Sequence, residues 1–467
     1  MLCLVKLFKS PWEIFLFLVF FTILLIISPD NYLLIIGLIL TLPAIYWLSY
    51  HLTWGLILIA LTFPFVNWQI YLTAALNAPL VDWLSLGLLL AYGLFLVRTK
   101  KFRQIKLPLL LPFLAFIIIA LLSLSQSFFW QPGIKYIFRP LIFCYLVYFI
   151  LPVNLITSKK ILWKIIWAWY LLTVVCALLS LFAYLFLLFE NSEFSRMIPF
   201  NLAGFSPLGA NQNLLTELVA SSLPLGLLLA FAAKARKKIS LAFIASLALL
   251  SIILLLTFSR SGWLVLLLQI FCFIFLFLPY FPEKELWKKR LKIFFTDFLL
   301  LGLIVAAPII LLMGQLMASQ AVISSNINRL WQWGIGLEML KDNLLLGAGP
   351  GSFIPILNVD PQYILEFGAD LEAHGLPLKL LAETGLLGAL AFALFLGLIF
   401  GSGWRLLNSL KNRPNNFFIF ACLWLSVASL FFFQLFNTTY FTAKFWLPLG
   451  ILISAINLYG KKSTAKN

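Results

Sequence analysis

The chain has 467 residues, of which 63% are hydrophobic and only 10% charged, well outside the balance of soluble domains. That composition excludes a soluble enzyme, a disordered chain and a nucleic-acid binder, and describes a polytopic membrane protein. The net charge of +17, from 33 Lys and Arg against 16 Asp and Glu, then has to be explained by topology across a bilayer.

In chain order, Lys6-Leu-Phe-Lys9 precedes an apolar run in the manner of a signal peptide. No small-x-small cleavage site follows and a second run comes at once, so the segment reads as a retained first helix. Apolar runs fall at about 12–28, 31–50, 52–66, 79–97, 107–127, 134–153, 161–189, 211–233, 239–258, 261–279, 293–314, 376–403, 416–436 and 442–459. They are continuous rather than alternating, which excludes a β-barrel. The expected fold class is an all-α integral membrane bundle of about 12–14 transmembrane helices. Pro and Gly interrupt several runs, so two short ones fit re-entrant segments. Cys3, Cys144, Cys176, Cys272 and Cys422 lie in or beside apolar runs without a CxxC pair and read as packing residues.

Placing the N-terminus in the cytoplasm and alternating puts 25 of the 33 basic residues on the cytoplasmic side. The clusters are Lys6 and Lys9, then 98–106, 159–164, 234–238, 284–292, 405–413 and 461–466. Eight remain at the outer face: Lys135, Arg139, Arg196, Arg260, Arg329, Lys341, Lys379 and Lys444. A cation placed against the topological bias is either paired, snorkelling to headgroups, or a ligand for an anion.

One outer connection, from Gln315 to Gly375, is far longer than an ordinary loop. Leu330, Trp333, Leu337 and Leu340 form a helical stripe in its first half, which predicts a helix on the outer surface with Trp331 and Trp333 at the interface. Gly347-Ala-Gly-Pro-Gly351 then predicts a tight turn whose amides are of a kind that can face a phosphate. The loop ends in Asp370-Leu-Glu372-Ala-His374-Gly-Leu-Pro377, with Pro377 suited to the first turn of the next helix. His374 and His51 are the two histidines; the spacing around His374 matches no zinc motif, and no metal is expected.

Three ordered segments carry a resemblance: Thr257-Phe-Ser-Arg260-Ser-Gly262; Asn328-Arg329-Leu-Trp331 followed by Gly347–Gly351; and Glu372-Ala-His374-Gly-Leu-Pro-Leu with Glu383-Thr-Gly385-Leu-Leu-Gly388. Together they resemble the O-antigen ligase / O-antigen polymerase superfamily over about residues 205–400. The resemblance implies a helical membrane glycosyltransferase with a large periplasmic loop containing short helices. Its divisions here are N-terminal transmembrane helices over 1–204, central ones over 205–314, the loop over 315–375 and C-terminal helices over 376–467. It implies transfer of a glycan from undecaprenyl diphosphate to a sugar hydroxyl of lipid A–core or another surface glycan, with inversion and without metal or other cofactor. It further implies a bacterial inner membrane location and an active site on the periplasmic side, while the distribution of Lys and Arg puts both termini in the cytoplasm and the composition excludes a nucleic-acid partner.

Carried over by position, Arg260 and Arg329 match the diphosphate arginines and His374 matches the loop histidine that serves the acceptor. Arg139, Arg196, Lys341, Asp370 and Glu372 are further candidates, the two acids as groups that orient the imidazole. Arginine suits a diphosphate because it stays charged and grips phosphate oxygens with two parallel N–H bonds. Imidazole suits a hydroxyl that must lose a proton near pH 7. Glu383, nine residues beyond His374 on a continuing helix, points about 180° away and is not its partner. Two alternatives stay open: a repeat-unit polymerase of the same superfamily, and a transporter of inorganic carbon or another small solute, to which parts of the Gly347–Gly351 segment are also similar. A transporter calls for ionisable residues deep in the spans, where this chain offers few, such as Glu217 and Asp82.

Overall fold

The computed structural model describes residues 41–73, 76–191, 196–201, 204–233, 235–282, 285, 320–367 and 373–460. The expected spans at 12–28 and 293–314, most of that at 31–50, and the candidates Asp370 and Glu372 lie outside these residues.

The described chain is helical apart from one hairpin. Helix α1 (Thr41–Leu48) and α2 (Leu52–Thr62) meet at 113°, so this pair is one broken span or a re-entrant loop. A two-stranded antiparallel hairpin, β1 (Gln69–Thr73) and β2 (Leu76–Pro79), leads into α3 (Leu80–Thr99). Then come α4 (Leu110–Leu124), α5 (Trp130–Leu155), α6 (Lys159–Asn191), α7 (Gln212–Ala232), α8 (Lys237–Leu256) and α9 (Arg260–Tyr280). The long loop contributes α10 (Gln320–Asp342), α11 (Phe353–Val359) and α12 (Pro361–Phe367). The chain closes with α13 (Leu376–Leu410), α14 (Pro414–Gln434) and α15 (Ala443–Gly460). Among the described residues nine helices are long and apolar enough to cross a bilayer, ten with the bent pair, while α4 is apolar but shorter. The protein is a multi-pass membrane protein with an all-α bundle.

Within a bilayer, helices associate through close packing rather than by escaping water. Here the seam is aromatic. Phe113 of α4 stacks on Tyr145 of α5 at 3.8 Å between centroids, and Trp446 of α15 lies 5.9 Å from both Phe113 and Phe395 of α13. Pro140 withholds an N–H inside α5, and the helix widens into π turns over Ile137–Phe143 and Tyr145–Ile150. The loop helices own a separate small core of Ile335, Met339, Phe353, Leu357, Tyr363 and Ala373, seated on Leu378 and Ala382 at the start of α13. The long connection is thus a folded cap that rests on a membrane helix.

The stripe expected on α10 exists but faces outward: Leu330, Trp333 and Leu337 are exposed, together with Ile323 and Ile327. The inward face is Asn328, Gln332, Ile335 and Met339, so polar residues occupy half of it. Trp331 is half-buried within the loop helices. Its indole packs edge-on to Phe367 and donates to the Asp360 carboxylate at 3.3 Å.

Candidate functional site

The eight outer basic residues sort by their partners. Arg139 donates to the Asp82 carboxylate at 2.8 and 3.0 Å, and Tyr148 donates to the other Asp82 oxygen at 2.7 Å. Lys379 and Glu383 pair at 3.2 Å one turn apart on α13, both buried. Lys444 lies 3.9 Å from Glu217, whose other oxygen accepts from Gln434 and Thr439. A buried cation without its carboxylate is costly, so Lys379 and Lys444 are accounted for by packing, and Arg139, half exposed, by its pair with Asp82. Glu383 is engaged by Lys379 and by the Phe353 amide at 3.3 Å, and is therefore not the partner of His374. Lys135 and Lys341 are exposed.

Arg196, Arg260 and Arg329 behave differently: among the described residues none has a carboxylate partner. They lie instead within each other's fields. Burial and Arg260 lower the Arg196 pKa; burial, then Arg260 and then Arg196, lower that of Arg329. Three like charges that repel one another, with no counterion among the described residues, form a place where an anion is electrostatically favoured. The Arg329 Nε is moreover buried without a hydrogen-bond partner among the described residues.

Each arginine is placed by local rules. The chain leaves α8 through Phe258, whose φ of 50° reverses it, and Ser259 then caps α9 by accepting from the Gly262 amide. Arg260 is the first residue of α9, beside the positive end of the helix dipole. Its guanidinium donates to Asn326 of α10 at 2.7 Å. The same loop helix carries Arg329 on the flank between its buried and exposed faces. Arg196 sits in the connection before α7, where the Met197 amide donates to the Leu256 carbonyl at the end of α8.

His374 joins this cluster from the start of α13. Burial first, and Arg329 second, push its pKa down to about 4. The imidazole is therefore neutral at pH 7, the form that can accept a proton. Its backbone N–H donates to the Gln332 side chain at 2.9 Å. Gln332 in turn donates to the Tyr363 hydroxyl at 3.4 Å, and Tyr363 donates to Asn328 at 3.3 Å. The polar inward face of α10 thus positions the histidine, a role the sequence does not announce. Its signal was the spacing of Asn328 and Gln332 with Ile335 and Met339, polar groups on a face otherwise built for a core.

The Gly347–Gly351 turn does not cradle an anion. The Gly347 amide donates to the Asn343 carbonyl at 2.7 Å, and those of Ala348 and Gly349 donate to the Ala382 and Glu383 carbonyls, each at 2.9 Å. Helix α13 breaks at Gly385, where φ is 63°, and the turn satisfies the carbonyls freed there. Among the described residues no three His, Cys, Asp or Glu side chains group as a metal site.

No curated protein matches the chain. Residues 244–393 match the family model described as O-antigen ligase. That span contains Arg260, Arg329 and His374, and leaves out Arg196. The matched segment, about a third of the chain, is similar to the O-antigen ligase superfamily of membrane glycosyltransferase-like ligases and polymerases.

Proposed function

We propose that the protein transfers a glycan from undecaprenyl diphosphate to a sugar hydroxyl of an acceptor such as lipid A–core, on the periplasmic face of a bacterial inner membrane. The observation that carries this reading is the cluster of Arg196, Arg260 and Arg329, unpaired with any described carboxylate, around a neutral His374. Arg260 and Arg329, with Arg196 beside them, grip the diphosphate and neutralise the charge that develops on it as the glycosidic bond breaks. His374 takes the proton of the acceptor hydroxyl as that oxygen attacks the anomeric carbon from the opposite side, which inverts it. The pairing of Asp82 with Arg139 and of Glu217 with Lys444 favours this reading over a transporter, because the deep charges are tied to partners.

His374→Ala tests it. Loss of a general base costs about 10²–10⁴ in rate, while binding of undecaprenyl diphosphate should survive. Near-normal transfer by folded variant protein would remove His374 from the chemistry. Ligase and polymerase differ in acceptor, and a deletion strain separates them: lipid-linked polymer accumulates if a ligase is lost, single lipid-linked repeats if a polymerase is lost.

A further inference from the structure

The connection between α14 and α15 reads in sequence as an ordinary polar turn, Asn437-Thr-Thr439. Its side chains reach three separate places. Asn437 donates to the Ser261 hydroxyl at 3.2 Å, next to Arg260; Ser261 shares a hydrogen bond with Ser259 at 3.0 Å, and Ser259 donates to Asn213 at 2.8 Å. Thr439 donates to Glu217 at 2.7 Å, and its amide donates to Gln434 at 2.7 Å, which anchors the turn on the buried Glu217–Lys444 pair. Between them Thr438 is buried, and its hydroxyl both donates to the Ala373 carbonyl and accepts from the Gly375 amide at 3.1 Å. Those two groups flank His374.

The backbone there has little freedom to move. Gly375 holds φ at 105°, and a Cβ on it would lie 2.8 Å from the Leu435 carbonyl oxygen. With Gln332 holding the His374 amide, residues 373–375 are clasped from α10 on one side and from the 437–439 turn on the other.

We propose that Thr438 is a positioning residue for His374: its hydroxyl clasps the backbone on both sides of the histidine and, through Asn437, fixes that backbone relative to the Arg260 turn. The acceptor base and one of the diphosphate arginines are thereby held by a single three-residue turn. This proposal rests on the reading of His374 as the base. A misplacement of about 1 Å in a reacting group costs on the order of 100-fold in rate, whereas grip on the diphosphate does not pass through the imidazole.

Thr438→Val keeps the branched shape and removes the hydroxyl. Turnover is measured with undecaprenyl-diphosphate-linked glycan extracted from source membranes, and binding with undecaprenyl diphosphate alone. The expected result is a fall in kcat of about 10- to 100-fold with donor KM and undecaprenyl diphosphate affinity within about twofold, and recovery of most of kcat in Thr438→Ser. Wild-type kcat in Thr438→Val, alongside an inactive His374→Ala, overturns the positioning role and leaves the base role standing. An active His374→Ala overturns both. A Thr438→Ser protein as slow as Thr438→Val, or loss of binding in step with turnover, assigns the residue to packing and also overturns the proposal. If Thr438→Val does not elute as one species, Thr438→Ala carries the same test, and failure of both to insert reduces the contact to folding.

Discussion

At the scale of single residues, the site is organised by cations with no carboxylate partner among the described residues. Arg139, Lys379 and Lys444 were as conspicuous in the sequence as Arg260, yet each has a carboxylate within 4 Å. For Arg139 and Lys444 only the structure shows this, because their pairing depends on which helices are neighbours; Lys379 and Glu383 pair within one helix at i,i+4. If Arg260 and Arg329 clamp a diphosphate, Arg260→Lys and Arg329→Lys keep the charge and lose the fork. Turnover should then fall by more than about tenfold in protein that still inserts, since a charge-assisted bond contributes about 1.5–3 kcal/mol. Lys variants with wild-type turnover would reduce both arginines to snorkelling side chains. His374 gives a second expectation, and here the structure moves the one drawn from sequence. An imidazole of ordinary pKa predicts a loss of rate as pH falls through 6.5. If His374 is the base, a pKa held at about 4 keeps it unprotonated down to that pH, and kcat/KM should lose its histidine limb only as pH falls through about 4. Bound diphosphate offsets the repulsion from Arg329 and raises the pKa, so the limb in kcat should lie above that in kcat/KM. Paired pH profiles for the wild type and His374→Ala check this; a histidine-dependent limb near 6.5 in kcat/KM contradicts the buried placement.

At the scale of elements, the informative case is the break in α13. Glu383-Thr-Gly385 and Gly347–Gly351 are distant in sequence, and each alone reads as a turn or a helix interior. In the structure they interlock: the Leu386 amide donates to the Leu344 carbonyl at 2.9 Å, and the Ala348 amide returns a bond to Ala382. A Cβ on Gly385 would lie 2.4 Å from the Leu345 carbonyl group, in a backbone conformation that L-residues avoid. Gly385→Ala should therefore destabilise the protein by roughly 2–4 kcal/mol, seen as a lower Tm in detergent, through crowding and left-handed strain together. A Tm within error of wild type would show that the turn is not held against α13. The sequence marks a tight turn whose amides could face a phosphate; in the structure the freed carbonyls of a broken helix claim those of Ala348 and Gly349. Helix α10 teaches a related point. Periodicity located it and found its apolar stripe, but not that the stripe faces outward while Asn328 and Gln332 face in. The spans themselves were legible because each must present about 20 apolar residues, a signal that needs no knowledge of neighbours. Thr438 was not legible, since its role depends on which loop it reaches.

At the scale of the whole molecule, contacts between elements sort the two ends of the bundle. At one end Arg98 donates to the Ser49 carbonyl at 3.1 Å and lies over the Tyr50 ring. Lys159 lies over Tyr459 at 3.8 Å, and Lys411 over Tyr280 at 4.7 Å. These contacts bring the 49–51 turn to the basic segment at 98, the segment at 159 to the end of α15, and that at 411 to the end of α9. At the other end Asn326 meets Arg260, Gln332 meets His374, and Asn437 meets Ser261. The Asn67 amide there donates to the Pro207 carbonyl, so the hairpin region belongs with the site. Alternating spans require basic segments to gather at one end, and the distribution of Lys and Arg predicts that this end is cytoplasmic. The assignment predicts that reporter fusions at Lys238 and Lys411 fall on the cytoplasmic side, and that a fusion at Asn358, within the cap of the loop helices, falls on the far side. Arg260 and His374 would then face the compartment in which acceptor glycans are displayed. A fusion at Asn358 that reports the same side as Lys238 would put the arginines in the cytoplasm, and the ligase and polymerase readings would fall together.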